Sequence, residues 1–449
     1  MTTSSINVDH LSIDGILDRI SFTLAPGERI GIIGESGSGK SLTALSIMGL
    51  VDLPATGSIT VNGTEMVGTP DRIRRTVRGS TVGMVFQEPM TALDPLKKVG
   101  ALVPAGLLAE VGVNRPDAYP HQLSGGQRQR VLIALALSQN PDYLICDEPT
   151  TALDVTVQRQ ILELIDRLVT ERGMGLIFIS HDLAVVRRMT DQVLVFKDGH
   201  IVANDSDYAR GLERASRPGP PATATPLGEE VISLRGVTVR RGTTTALDNV
   251  TLTVRAGERL GVVGGSGSGK TTLLHTIAGL ITPDAGTVTV SGSMQMVFQD
   301  PYSSLDPRME VAASVMEAGV DKQRALDVLA SVGITENRRP KAYSGGQRQR
   351  ISIARAAAPH PDILLADEPV SALDVSVRAQ VLSLLDATVS TTHTNSLIFI
   401  SHDLSVVREV CPRLAVIHEG RIVEHGDTEE IWRNPQHEYT RTLLESVLV

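Results

Sequence analysis

Two eight-residue runs could hold a polyphosphate: GESGSGKS at 34–41 and GGSGSGKT at 264–271, both satisfying G-x-x-x-x-G-K-[ST]. Glycines at this spacing let the backbone wrap an anion, with successive N–H groups turned inward at the positive end of a helix. The first copy offers Gly34, Glu35, Ser36, Gly37, Ser38, Gly39, Lys40 and Ser41 to such a ligand. The second offers Gly264, Gly265, Ser266, Gly267, Ser268, Gly269, Lys270 and Thr271. Lys40 and Lys270 suit the β- and γ-phosphates, and the Ser41 and Thr271 hydroxyls suit Mg²⁺. Asp147-Glu148 and Asp367-Glu368 each end an apolar run. Alone, either pair reads equally well as two solvated loop acids. Beside a phosphate loop, Asp147 and Asp367 suit the Mg²⁺ shell, while Glu148 and Glu368 suit polarising a water for in-line attack. His181 and His402 both follow IFIS and become γ-phosphate contacts in this company. Gln87 and Gln299, each after Val-Phe, read as ligands that place Mg²⁺ and the attacking water.

These residues recur in one order, twice. VFQEP at 85–89 returns as VFQDP at 297–301, CDEPTTALD at 146–154 as ADEPVSALD at 366–374, and IFISHDL at 177–183 at 398–404. The offset drifts between 212 and 230 residues, too long for a solenoid period and the mark of a duplicated domain. The drift places insertions in loops. Short apolar runs at 29–33 and 260–263 precede the Gly-rich turns, and runs at 143–146 and 363–366 read as buried strands ending in the carboxylates. Ile161, Leu162, Ile165, Leu168 and Val169 have helical spacing, with Gly173 as the stop. Alternating strand and helix predicts an α/β fold with a mostly parallel sheet in each half. Residues 205–230 carry prolines at 218, 220, 221 and 226 and read as a linker between domains at 1–204 and 231–449.

Composition narrows the class. Of 449 residues 41% are hydrophobic and 21% charged, which excludes a largely disordered chain. A net charge of −9 lacks the footprint of a dedicated nucleic-acid binder. Two cysteines, Cys146 and Cys411, exclude a disulfide framework and a four-cysteine metal site, and both read as core. The first residues, MTTSSINVDH, lack a signal peptide's basic stretch and apolar core. No apolar run approaches the ~20 residues that span a bilayer. A soluble cytoplasmic protein is the expectation.

LSGGQ at 123–127 and YSGGQ at 343–347 precede Arg/Gln-rich helical stretches. A serine and two glycines at a helix start offer a hydroxyl and uncrowded amides to an anion, and equally make an ordinary cap. With this fifth motif the chain resembles the ABC-transporter ATPases, with two tandem P-loop (RecA-like) nucleotide-binding domains in one polypeptide. The resemblance covers nearly everything except the linker. It implies an antiparallel β subdomain in each half, ATP and Mg²⁺ as ligands, and hydrolysis at both sites. In that family two domains face head to tail, so each ATP is served by one domain's P-loop and the other's signature. By resemblance, Lys40, Ser41, Gln87, Asp147, Glu148 and His181 work with Ser344, Gly346 and Gln347. Lys270, Thr271, Gln299, Asp367, Glu368 and His402 work with Ser124, Gly126 and Gln127. Asp154 and Asp374 resemble the acids that couple the two sites. No homodimer is then required.

Two stretches resemble the oligopeptide/dipeptide/nickel importer group. EPMTALDP at 88–95 and DPYSSLDP at 300–307 match its Q-[ED]-P-x-x-[AS]-L-[DN]-P segment, and NPQHEYTRTLL at 434–444 its P-x-H-x-Y-T-R-x-L-L tail. DYARGLERA at 207–215 is a weaker echo closing the first half. The resemblance implies an ATPase peripheral to the cytoplasmic face of the membrane. Its partners would be two transmembrane permease subunits and an extracytoplasmic binding protein, with a peptide or nickel/metal-chelate cargo and no nucleic acid. The other reading is a soluble tandem ATPase acting on ribosomes or DNA. The ribosomal class has a long charged linker, and the DNA-repair class has zinc cysteines that this chain lacks. Three departures stand out. Neither 11–17 nor 239–247 offers the aromatic that stacks on adenine, leaving Arg240 or Arg241 for a cation–π contact. The stretch from glutamine to signature is short, implying a trimmed helical subdomain. The two separated cysteines cannot make the cysteine-rich iron–sulfur extension that many such subunits carry.

Overall fold

Each half builds a central sheet around the strand that enters its phosphate loop. A computed structural model describes residues 4–151, 153–217, 219–224, 226–242, 244–370, 373, 375–390 and 396–447. In the first half the sheet order is His200–Val202, Gln192–Lys197, Arg29–Gly34, Gly175–Ile179, Tyr143–Asp147, Val82–Val85. In the second it is Arg421–Asp427, Arg413–His418, Arg259–Val263, Ser396–Ile400, Ile363–Asp367, Met294–Val297, the same order. All neighbours are parallel except the terminal hairpin in each.

Tyr143–Asp147, Gly175–Ile179, Ile363–Asp367 and Ser396–Ile400 are buried at every position, which is why they read as unbroken apolar runs rather than alternating ones. Successive side chains then feed two cores. Leu144, Cys146 and Phe178 pack toward the helix Val155–Arg172, whose Ile161, Leu162, Ile165, Leu168 and Val169 form its buried stripe. Tyr143, Ile145 and Ile177 face the other way, toward Ile47 of the phosphate-loop helix and an antiparallel sheet. Leu364, Ala366 and Phe399 against Ile363, Leu365 and Ile398 repeat this division in the second half. Cys146 and Cys411 are both buried and free, with burial pushing each thiol's pKa far up.

The antiparallel sheets follow the order Leu17–Leu24, Ile6–Ile13, Ala55–Val61, Thr64–Glu65 and Thr244–Arg255, Glu230–Arg241, Ala285–Val290. Buried positions run Ile6, Val8, then Leu11, Ile13, a break in period two. A register shift between Val8 and Leu11, with His10 at φ 51°, restores the buried face. The second half repeats the device between Leu234 and Val237, with Gly236 at φ 62°. Between glutamine and signature the helices are short: Pro89–Ala92, Val99–Leu102 and Ala105–Glu110, then Pro301–Ser304, Val311–Met316 and Lys322–Ser331. In both halves this segment is helical, as expected, and built from helices of four to ten residues.

The chain divides into two compact units, with the change at 217/218. The stretch 205–230 is therefore not linker throughout. Its first part is the helix Asp207–Ser216, capped by the Ser206 hydroxyl, which accepts from the Ala209 N–H at 3.2 Å. Ala209 and Leu212 are buried beside Ile33, Leu183 and Val195 of the first unit. The prolines begin only at 218, after this i, i+3 apolar pair has been buried, so none falls within 207–216, and the burial offsets the helix cost of Gly211. Beyond it the chain lies on the second unit, where the Ala222 N–H donates to Arg408 O at 3.0 Å.

Candidate active sites

Each phosphate loop joins the central strand to a helix, Lys40–Ile47 or Lys270–Ile277. Gly39 and Gly269, at φ 100° and 110°, occupy the helix N-caps in a region that side chains avoid. A Cβ on Gly34 would lie 2.2 Å from Phe196 O, and one on Gly264 would lie 2.2 Å from Ile417 O. The loop runs against the neighbouring strand with no room for a methyl group. Lys40 Nζ donates to Gly34 O at 2.7 Å and Glu35 O at 2.8 Å, and Lys270 Nζ to Gly264 O at 2.8 Å and Gly265 O at 2.9 Å. Both ammonium groups curl inside their loops. Burial holds the Lys270 pKa below its ordinary value, against the Glu368 and Asp367 carboxylates that raise it. Ser38 Oγ and Ser268 Oγ are buried with no hydrogen-bond partner among the described residues. A phosphate oxygen fits that environment, because an interior hydroxyl otherwise gives up a bond it would make in water.

The Asp of each pair ends its strand beside the loop. Ser41 Oγ donates to Asp147 Oδ1 at 3.0 Å, and Thr271 Oγ1 to Asp367 Oδ1 at 3.5 Å. Burial pushes both aspartate pKa values up, partly offset by these hydroxyls and by the lysines. A hydroxyl and a carboxylate make a sparse, hard oxygen set. Among the described residues no group of three or more His, Cys, Asp or Glu could enclose a metal. The pair fits Mg²⁺, which takes one or two protein oxygens and completes its shell with phosphate and water.

Glu148 and Glu368 adopt φ 46° and 44°, a left-handed backbone costing roughly 1–2 kcal/mol for a residue with a side chain. The fold imposes it. Each N–H still donates to the adjacent strand, to Ile179 O at 2.9 Å and Ile400 O at 3.0 Å, while the proline that follows disfavours the right-handed alternative. The turn brings three partners to one oxygen. Glu148 Oε2 accepts from Gln87 Nε2 at 2.9 Å and Thr151 Oγ1 at 2.9 Å, with His181 Nδ1 at 3.6 Å. Glu368 Oε2 accepts from Gln299 Nε2 at 3.1 Å and meets His402 Nδ1 at 3.2 Å. Burial raises both glutamate pKa values, but the histidines, Thr151 beside Glu148, and the lysines outweigh it and leave both lowered. Each is a carboxylate at neutral pH, able to accept from a water.

The histidines are held by a device that the sequence reading passed over. The Asp182 carboxylate caps Leu183–Met189, accepting from Ala184 and Val185 N–H, while its own N–H donates to Ser180 Oγ at 3.1 Å. Ser401 and Asp403 do the same around His402. The signal was the Ser-His-Asp triplet directly before an apolar helix. Lys, Ser/Thr, Asp, Glu, Gln and His of each half thus converge at the carboxyl ends of adjacent parallel strands, where open α/β sheets place their ligands.

The signature residues sit elsewhere in each half, at a helix start. Ser124 Oγ accepts from Gln127 N–H at 3.3 Å and Gln127 Oε1 from Ser124 N–H at 3.2 Å, a reciprocal capping box on Gly125–Ala136. Ser344 and Gln347 repeat it on Gly345–Ala357. The ordinary-cap reading is thus realised, with the amides of Ser124 and Gln127, and of Ser344 and Gln347, taken up inside the motif. A Cβ on Gly126 would meet Val157 at 2.5 Å and one on Gly346 would meet Val377 at 2.6 Å, so both glycines are needed for packing. The arginines that follow are structural. Arg128 and Arg348 donate to Pro120 O and Pro340 O, and Arg130 and Arg350 to Val111 O and Val332 O. At the hairpin turns, aliphatic groups cover the loops, Leu17 over Gly39 and Leu247 over Gly269, with Ile16 exposed; Arg240 and Arg241 are exposed on the second hairpin. Asp374 lies outside the described residues.

Two phosphate-loop domains with paired acids, glutamine and histidine at each loop define a tandem nucleotide-binding ATPase. A family model described as ABC transporter matches residues 17–151 and 247–371, and the chain belongs to the ABC transporter family. It binds ATP and hydrolyses it to power transport. Among its relatives, the peptidoglycan transport ATP-binding protein YejF of Agrobacterium fabrum is 41% identical, across 95% of this chain and 92% of that protein. The oligopeptide transport ATP-binding protein OppD of Mycobacterium tuberculosis is 36% identical, across 95% and 94%. The glutathione import ATP-binding protein GsiA of Escherichia coli K12 is 37% identical, across 96% and 86%. Among solved structures, the archaeal ribosome recycling factor aABCE1, crystallised with the stalk protein aP1, superposes with a TM-score of 0.71 over 95% of this chain and 91% of that one. At 23% identity that likeness shows the fold. No helix among the described residues is long and apolar enough to cross a membrane.

Gly34→Ala combined with Gly264→Ala is expected to weaken ATP binding by about ten-fold or more, since the new methyls must displace each loop from a strand carbonyl. Equilibrium titration with a fluorescent ATP analogue measures it, and unchanged affinity would show that the loops tolerate the shift.

Proposed function

We propose that this chain is the energising subunit of an importer for cargo of the peptide class, working at the cytoplasmic face of the membrane with two permease subunits and an extracytoplasmic binding protein. The supporting observation is that relatives matching both halves end to end are named for peptidoglycan, oligopeptide and glutathione transport. The nickel or metal-chelate reading of the sequence has no such support. In this reading each of the two units, divided at 217/218, holds one ATP. Lys40 and Lys270 bind its β- and γ-phosphates together with the loop amides. Ser41, Asp147 and Gln87, or Thr271, Asp367 and Gln299, would hold Mg²⁺, which when bound neutralises phosphate charge. Glu148 and Glu368 accept a proton from the attacking water, while Gln87 and Gln299 orient it and His181 and His402 donate to the γ-phosphate.

Ser344, Gly346 and Gln347 serve the nucleotide held by Lys40, and Ser124, Gly126 and Gln127 that held by Lys270. Ser344→Arg is therefore expected to abolish trapping of an azido-ATP photolabel in the first half while sparing the second, read after proteolysis in the Pro-rich linker. Loss confined to the second half would overturn the pairing. The transport assignment is tested by affinity purification from membranes: permease subunits should accompany the chain, and peptide uptake should stop in a deletion strain. Copurification with ribosomes, and uptake unaffected, would replace it.

A further inference from the structure

The tail motif and its weaker echo do something specific in the fold. The tail helix Glu438–Glu445 stands beside the second phosphate loop, and Tyr439 Oη accepts a hydrogen bond from the Gly265 N–H at 2.6 Å. The helix Asp207–Ser216 stands beside the first loop, and Tyr208 Oη accepts from the Glu35 N–H at 3.1 Å. Glu35 and Gly265 are equivalent second residues of their loops. Their carbonyls already receive the lysine, Lys40 Nζ on Glu35 O and Lys270 Nζ on Gly265 O. With the tyrosine bound, both polar groups of that peptide residue are satisfied within the protein. The Ser38 and Ser268 N–H groups in turn donate to Glu35 O and Gly265 O, each at 3.2 Å, closing the first turn of the loop.

The rest of the motif holds the tyrosine in place. The Glu424 carboxylate accepts from the Gln436 N–H at 2.8 Å and the His437 N–H at 3.1 Å, and the His437 Nδ1 accepts from the Tyr439 N–H at 3.1 Å. Thr440 and Leu443 are buried, and the Tyr439 ring stacks on His418 with centroids 3.8 Å apart. In the first half Ala209 and Leu212 are the buried pair, and Lys197 Nζ lies 5.1 Å from the Tyr208 ring centroid. Two helices of different sequence, each at the end of its half, deliver the same hydroxyl to the same amide.

We propose that Tyr208 and Tyr439 are positioning residues for ATP: each hydroxyl fixes the first turn of its phosphate loop, so that the loop is preset in the shape that receives phosphate. The proposal rests on reading the loops as ATP sites. The test compares the full chain with its Tyr208→Phe/Tyr439→Phe variant, which keeps both rings. Loss of one neutral hydrogen bond per loop predicts a KM for ATP raised about five-fold, with kcat nearly unchanged and thermal unfolding close to the parent's. Leu444→Ala, which thins the packing of the same tail helix without touching the hydroxyl, should lower the unfolding temperature and leave KM unaltered. An unchanged KM in the double phenylalanine variant overturns the proposal. So does a fall in kcat alone, or an equal rise in KM from Leu444→Ala, which would assign the effect to helix packing. If the parent chain itself bound no ATP, the reading of the loops would fail instead.

Discussion

Replacing Glu148 and Glu368 together by glutamine is expected to cut ATP hydrolysis by about 10²–10⁴-fold while ATP binding is retained. Each carboxylate is the meeting point of its site, taking a glutamine amide on Oε2 at 2.9 Å or 3.1 Å with a histidine at 3.6 Å or 3.2 Å. An amide preserves volume and the left-handed backbone, so the loop and its hydrogen-bonding neighbours survive. What disappears is the charged acceptor whose lowered pKa keeps it ionised at neutral pH. Phosphate release measures turnover, and titration with a fluorescent ATP analogue measures binding. Turnover at the parent rate would remove these glutamates from catalysis.

Lys40→Ala with Lys270→Ala should weaken ATP binding by about ten- to a hundred-fold, the range expected when a charge-assisted hydrogen bond is lost. The effect is compounded within the loop. Each ammonium is buried and ties two consecutive carbonyls together, so truncation also leaves Gly34 O and Glu35 O, or Gly264 O and Gly265 O, without that donor. A circular dichroism spectrum unchanged from the parent's would separate loss of the site from loss of the fold. Undiminished affinity would mean that the loops grip something other than phosphate.

The two largest effects fall on residues legible before any coordinates. Gly-rich loop, paired acids, glutamine and histidine announce themselves by type and local spacing, and their repetition makes chance an inadequate explanation. The parallel sheet was equally legible, because strands covered on both faces become continuous apolar runs. Other features were invisible for a physical reason. The bond from Gln87 to Glu148 spans 61 residues and exists only because Val82–Val85 and Tyr143–Asp147 are neighbours in the sheet. The helix at 207–216 was hidden by its proximity to prolines, and becomes plain once Ala209 and Leu212 have a surface to bury against. Arg128 and Arg130 had no role legible from spacing, because the carbonyls that take up their N–H groups, Pro120 O and Val111 O, lie 8 and 19 residues away.

The chain by itself determined the chemistry available and the number of times it occurs, since the conformation of a Gly-x-x-x-x-Gly-Lys turn and the caps beside it are set by residues within a few positions. Only the tertiary structure decided which groups meet. Strand order brings Gln87, Glu148 and His181 to one point, and packing of the terminal helices delivers Tyr208 and Tyr439 to the amides at the loop entrances. Those meetings depend on burial and sheet adjacency across tens to hundreds of residues, a distance over which local spacing carries no directional information.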